Sequence, residues 1–308
     1  MAHPDLASES LTTPGIATWV DWTCDVSTWV QDVTLLDQAS AIVRSVMLDV
    51  ELAASRFRQD SEVIALMNGQ PREGSPTLIT LITAAIDAAE ATSGILDPTL
   101  GRIMRAWGYG DEVPQQSVPQ PSIVIERSST WKDIHIDDNV VSVPQGVLID
   151  LGATAKAWAS DRASQRIWQE LNVPCVIGIG GDLAIAGPTD FRTIIEVAES
   201  PSDAAIAVLV GPGGLATSST VRRTWKVESA TAHHIMDPRT QAPAVGMWRT
   251  VTVMAATCVA ANHAATASIV LGEPARRWLA SLHLPARLIA QTDEVTYIGD
   301  WPQDRELA

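Results

Sequence analysis

Ile134-His135-Ile136-Asp137-Asp138-Asn139-Val140-Val141-Ser142-Val143 is the stretch that decides the fold class. Two β-favouring runs flank Asp137-Asp138-Asn139, whose short polar side chains suit a tight turn, so the chain reads as an antiparallel hairpin. A purely parallel sheet has no place for such a pair, because its strands are joined by long crossovers. Downstream the period changes. From Thr154 to Leu171, residues Ala155, Trp158, Ala159, Arg162, Ala163 and Ile167 trace much of one helix face. Hairpin pairs alternating with helices predict an α+β fold of layered sheets and helices, with mixed, partly antiparallel strands.

Working outward, Ile16 to Val30 is β-like, rich in Trp, Val and Thr. Leu36, Ala39, Val43, Val46, Met47, Val50 and Ala54 then recur at helical steps between Val33 and Phe57. Pro76 opens a second helix, and Gly94 is placed to end it. Pro114 to Ser122 is Pro/Gln/Ser-rich and reads as a surface excursion over 114–122. Val173 to Ile179, Thr193 to Ala198, Ala205 to Val210 and Thr250 to Ala255 read as strands, and Cys258 to Leu271 as a helix. Without a long linker or an internal repeat, residues 1–308 are expected to form a single catalytic domain.

Composition narrows the partners. Of 308 residues 46% are hydrophobic and 19% charged, enough for a sizeable core, and the net charge of -15 repels nucleic acid and anionic membrane surfaces. Cys24, Cys175 and Cys258 are odd in number and widely spaced, which supports neither a disulfide framework nor a thiolate metal site. A cytoplasmic location is expected, since MAHPDLASES has no basic region followed by an apolar run. Val251 to Gly272 is uncharged, but Thr252, Thr257, Asn262, His263, Thr266 and Ser268 interrupt it, so a strand and a buried helix are expected rather than a membrane span.

Several segments place polar groups with chemical potential. Asp150 follows Val147-Leu148-Ile149, an expected strand, and precedes a helix with Thr154 at its N-cap; such a junction can hold a phosphate or a metal ion, or Asp150 can simply cap the turn. Gly178-Ile179-Gly180-Gly181-Asp182 lacks the third glycine of the dinucleotide fingerprint and reads equally as a turn between strands. Asn262 and Thr266, four apart on a helix, can offer two neutral oxygens to one hard cation or can space a helix contact. Ser218, Ser219 and Thr220 can bind phosphate or form a hydroxyl-rich turn. His233 and His234, adjacent in an extended segment, point to opposite sides, so at most one of them faces the chemistry. Pro238 biases Asp237 toward an extended backbone suited to orienting a histidine or a ligand.

The order of these segments resembles the ApbE family, from about Val46 to Gly272. Ser55-Arg56-Phe57-Arg58-Gln59-Asp60-Ser61-Glu62, with Asn68 beyond it, is similar to an early landmark of that family. Asp97-Pro98-Thr99-Leu100-Gly101 with Trp107-Gly108-Tyr109-Gly110 follows. Asp150 to Lys156, Gly180-Gly181-Asp182, Ala216-Thr217-Ser218, His234 to Thr240 and Asn262 to Thr266 complete the series. The resemblance implies magnesium-dependent transfer of FMN from FAD, the substrate, to a threonine of an acceptor flavoprotein, with release of AMP. It implies Ala153, Asn262 and Thr266 at the Mg²⁺, and His234 and Asp150 as catalytic residues. Asp97, Pro98, Thr99, Lys156, Gly180, Gly181, Asp182, Thr217, Ser218, Ile235 and Asp237 would join His234 and Asp150 around the cofactor.

The chain departs from the family pattern in places. Asn262 stands where the motif usually has Asp and brings an oxygen without charge. Gly178, Ser219 and Gln241 also differ, and no early Met-Gly-Thr occurs near Trp19 to Thr28. Leu151-Gly152-Ala153-Thr154 superficially resembles the acceptor sequence itself, but Lys156 stands where an acceptor has Ser or Thr, so the acceptor is expected to be a separate FMN-binding protein. Two alternatives stay open: an FAD-binding protein without transfer, and a hydrolase that yields FMN and AMP.

Overall fold

Two left-handed residues, Trp22 (φ 47°) and Thr23 (φ 57°), reverse the chain between β1 (Gly15–Asp21) and β2 (Cys24–Val30), so the β-like segment near the start is a hairpin. Nothing in Trp-Thr announces such a turn, which Asn-Gly normally supplies. The computed structural model describes residues 12–110, 117–119, 121, 129–199, 205–228, 230–302 and 305–306. Most of the excursion expected over 114–122 lies outside them.

The helix of the first third is α1 (Leu36–Ala54), which buries Val43, Val46, Met47 and Val50. Pro76 opens α2 (Pro76–Ala91), where the Ser75 side chain accepts from Leu78 N. The helix ends at Thr92, two residues before left-handed Gly94. In the deciding hairpin, His135–Asp137 pairs antiparallel with Val140–Ser142. Asp137 belongs to the strand, so the turn contracts to Asp138-Asn139, with Asp138 at φ 50°.

Helix α3 (Ala155–Leu171) leads into β3 (Cys175–Ile179) and β4 (Asp182–Ala186), with Gly180 at φ 63° in the turn between them. Then come β5 (Gly213–Ser219), β6 (Trp248–Ala255), α4 (Cys258–Leu271), β7 (Ala286–Ala290) and β8 (Val295–Ile298). Strands β1 to β8 lie side by side in chain order, and every neighbouring pair is antiparallel. The α+β reading holds, with a larger antiparallel share than expected; the isolated bridge from Val118 to Val227 is parallel.

Helices α1 and α3 cover one sheet face, where Val26, Val30, Ile177 and Ile179 join Val46, Met47 and Ile167, and α2 packs against α1. The hairpin Thr193–Val197 and Ile206–Val210 contributes Ile195, Val197, Val208 and Val210 to a second core with Val176, Ile185 and Leu215. Strand β3 is buried at all five positions, which explains its unbroken apolar run.

Helix α4 packs against β5, β6 and α3. Its start is fixed from outside, because the Asp161 carboxylate accepts from Cys258 N at 2.8 Å and Val259 N at 3.0 Å. Gly214 makes the packing possible, since a Cβ there would lie 2.1 Å from Cys258 N. The uncharged run 251–272 is thus β6 followed by α4, and no helix among the described residues is long and apolar enough to cross a membrane.

One expected strand is absent. Val147 to Ile149 is irregular, and its backbone is satisfied across the chain by Gly101 N to Leu148 O and by Asp150 N to Pro98 O at 2.7 Å.

Candidate active site

A cavity of about 1230 Å³ opens where the β1–β2 turn, the end of α1, the loop before α3, the Gly180-Gly181 turn, the end of β5 and the first half of α4 meet. Asp97, Pro98, Asp150, Ala153, Lys156, Gly180, Gly181, Thr217, Ser218, His234, Ile235, Asn262 and Thr266 all line it. Residues more than two hundred positions apart in sequence therefore share one space.

The paired histidines divide their roles. His233 ends a strand, and its Nδ1 accepts from Ile235 N at 3.3 Å, so the ring proton sits on Nε2, 2.9 Å from Ala244 O. Both nitrogens are thus used in holding the fold. His234 lines the cavity beside Tyr109, whose ring stacks on Trp225 with centroids 5.5 Å apart. Burial, then the nearby cations Arg223 and Lys156, drive its pKa well below the usual imidazole value. A neutral imidazole can accept a proton.

Asp150 was expected to be catalytic, yet its carboxylate is occupied structurally. Oδ2 pairs with Arg56 Nε at 2.5 Å, and Oδ1 accepts from Gly152 N at 2.9 Å. Arg56 is 3% exposed and also donates to the carbonyls of Tyr109 and Gly110. This pair ties the end of α1 to the loop before α3, at a point where Asp150 also lines the cavity.

The oxygens suited to a cation come together in part. Thr266 Oγ1 lies 2.8 Å from Ser218 Oγ, and Asn262 Nδ2 donates to Asp182 Oδ1 at 2.6 Å. A carboxylate can only accept, so this bond fixes the amide with Oδ1 turned away. That oxygen is buried and without a hydrogen-bond partner. An orphaned carbonyl oxygen on a residue that lines the cavity together with Thr266 and Ala153 is the kind of group a hard oxygen-seeking ion such as Mg²⁺ takes. Among the described residues no group of three or more His, Cys, Asp or Glu could hold a metal.

Three expected cofactor residues do not line the cavity. Thr99 Oγ1 bonds Asp97 Oδ1 at 2.7 Å in the turn that follows. Asp182 is 1% exposed and acts behind the wall, through Asn262 and through Lys156 Nζ at 3.0 Å. Asp237 is clamped by Arg239, which donates from its backbone N, Nε and NH2, and which also reaches Val270 O. Its carboxyl pKa is held below the usual range by those bonds, which outweigh burial. Asp237 thus fixes the turn next to His234 from outside the cavity lining. Thr154, expected to cap α3, makes no cap bond; its Oγ1 lies 3.1 Å from His263 Nε2.

Other lining residues were missed by the sequence reading: Trp22, Cys24, Arg58, Arg222, Arg223 and His263. Arg222-Arg223 follows the hydroxyl-rich run 218–220 after one residue, Val221, and an adjacent basic pair in so acidic a chain was the available signal. Burial lowers the pKa of His263 to about 4, so it too is neutral.

Known proteins are similar to this chain in sequence and in fold. The chain is similar to the FAD:protein FMN transferase of Vibrio cholerae serotype O1, 27% identical over 254 residues that span 78% of this chain and 75% of that one. The enzyme of the same name from Haemophilus influenzae is 27% identical over 82% of this chain and 78% of its own length. In three dimensions the ApbE protein of Thermotoga maritima superposes with a TM-score of 0.84 at 25% identity, covering 93% of this chain and 97% of that one. The flavin transferase ApbE from Vibrio cholerae shares the fold with a TM-score of 0.73 at 21% identity, over 93% of this chain and 97% of that one. The ApbE family model matches residues 20–288, and with far more than half of its length matched this chain belongs to the ApbE family.

Proposed function

We propose that the protein transfers FMN from FAD to a threonine hydroxyl of an acceptor flavoprotein, releasing AMP, with Mg²⁺ as cofactor. The observation that carries this reading is His234, a neutral imidazole in the wall of a large cavity, with the cations Lys156 and Arg223 close enough to depress its pKa. Relatives named FAD:protein FMN transferase support it over most of the chain.

In this mechanism His234 takes the proton of the acceptor threonine. The threonine oxygen forms a bond to the phosphorus on the FMN side, and the bond from that phosphorus to the bridging oxygen breaks, so AMP departs. Lys156 and Arg223 favour the negative charge that gathers on the phosphate oxygens. Mg²⁺ held by the Ala153 carbonyl, Asn262 Oδ1 and Thr266 Oγ1 would disperse the same charge. Arg56 and Asp150 hold the wall in register, and Gly180-Gly181 lets backbone approach the ligand without side-chain obstruction. One catalytic domain is supported by walls drawn from both ends of the chain, Val20 to Thr266. Free Cys24, Cys175 and Cys258 support a reducing, cytoplasmic setting.

Asn262 favours a second reading, FAD binding without transfer, because it brings no charge to the cation. Incubation with FAD and an acceptor domain, with and without Mg²⁺, separates the two. Transfer gives an FMN-sized mass gain on the acceptor with equimolar AMP, lost in His234→Ala. AMP without a mass gain indicates hydrolysis, and unchanged FAD indicates a binding protein.

A further inference from the structure

The first strand of the large sheet has an open edge, and that edge leads into the cavity. β1 pairs with β2, and among the described residues no strand lies on its other side. The Asp25 carbonyl accepts from Gly180 N at 2.8 Å, so Asp25 directs its backbone groups toward β3 and away from β1. Its partner Val20 therefore holds a non-hydrogen-bonded position of the β1–β2 ladder, and by the alternation of antiparallel pairing so do Thr18 and Ile16. The N–H and C=O groups of these three residues point outward along the edge. Their side chains are exposed as well, Ile16 at 62% and Val20 at 74%. Proteins usually blunt such an edge with a lysine, a proline or a bulge. Over its seven residues β1 has none of these, and its register with β2 is unbroken.

Val20, Asp21, Trp22 and Thr23 line the cavity, so a strand laid along β1 would run into the space that His234 also lines. An enzyme that modifies a threonine inside another protein must admit backbone as well as a side chain, and backbone is what an open edge binds. Resting on the transfer reading above, we propose that the acceptor docks by strand addition: the segment that carries its threonine pairs with the edge of β1 at Ile16, Thr18 and Val20 and delivers the hydroxyl to the cavity. Pairing is antiparallel, as between all neighbours in this sheet, so the paired residues follow the threonine in the acceptor's sequence. Ile16 and Val20 favour apolar side chains at the alternate positions that meet them.

The test is amide hydrogen exchange on the full-length protein, with and without an acceptor domain that it flavinylates, the acceptor threonine being replaced by valine so that no chemistry follows. The amides of Ile16, Thr18 and Val20 are expected to exchange freely in the protein alone and to slow at least about tenfold when the acceptor is added. Protection already present without acceptor overturns the proposal: if constant, the chain itself covers the edge, and if it rises with protein concentration, a second copy does. Exchange that the acceptor leaves unchanged overturns it too. Ile16→Lys and Thr18→Pro, both outside the cavity lining, should raise KM for the acceptor at least about fivefold while kcat and FAD affinity hold. An unchanged acceptor KM in both variants sinks strand addition and leaves the transfer reading intact. If no acceptor domain gains FMN, the transfer reading falls and takes the docking with it. Should Thr18→Pro fail to fold, Ile16→Lys and the exchange measurement on the native protein still decide.

Discussion

His234 owes its role to its surroundings. Burial and the cations Arg223 and Lys156 keep the imidazole neutral well below the ordinary value of 6.5, so proton removal from the acceptor should not fade as the solution becomes mildly acidic. The single-turnover transfer rate is therefore expected to stay on its plateau as pH falls through 6.5; an acid limb centred at or above 6.5 would contradict that placement. Arg56 illustrates the opposite use of charge. Its guanidinium is buried against Asp150 and serves two carbonyls as well, so Arg56→Met leaves a carboxylate and two acceptors without their donor. A loss of about 3–5 kcal/mol is expected in urea denaturation, the usual result of removing one partner of a buried pair.

Helix α4 depends on close approach to β5. Gly214 is the contact point, because a methyl group there meets backbone atoms of Thr257 and Cys258, which cannot swing aside as a side chain can. Gly214→Ala should cost about 3 kcal/mol or more. It should also displace Asn262 and Thr266, weakening FAD binding as read from the quenching of flavin fluorescence. Stability and binding unchanged from the native protein would show that α4 is not held by that contact. The outer brace is Asp161, whose pKa is raised by burial although two helix N–H groups stabilise its carboxylate. The uncharged run broken by Asn262, His263, Thr266 and Ser268 revealed α4 as a buried helix, but not which neighbours it would touch, since a helix buried on most sides has little amphipathic pattern to orient it.

For the molecule as a whole, three histidines share one acid sensitivity. His233, His234 and His263 all have pKa values lowered in the folded state, chiefly by burial, and that of His263 falls to about 4. The unfolded chain binds their protons first, so their contribution to stability is complete above about 6.5 and is lost as pH falls from there toward 4. Asp161, raised by burial, opposes the trend with a single group. Denaturation midpoints measured from pH 7.5 to 4.5 should hold down to about 6.5 and fall below it, and His263→Gln should flatten part of that slope. A midpoint that holds steady to pH 4.5 would mean these rings gain protons without cost.

Local chemistry determined much of this protein on its own. Helical periodicity placed α1 and α3, Pro76 set the start of α2, and Asp138-Asn139 set the deciding hairpin, because each of those signals acts within a few residues. The ordered motifs from Ser55 to Thr266 carried the family. What local chemistry could not contain was partnership. Asp150 and Asp237 look like free carboxylates in the sequence, and only the folded chain brings Arg56 and Arg239 onto them. Val147 to Ile149 has strand composition but finds no strand beside it, and Trp22-Thr23 turns because the sheet on either side holds it there. Asn262 likewise reads as a weakened ligand until Asp182, eighty residues away, takes up its amide nitrogen and leaves its buried oxygen without a partner. Ion pairs, strand neighbours and amide orientation join residues distant in sequence, so tertiary structure alone decides them.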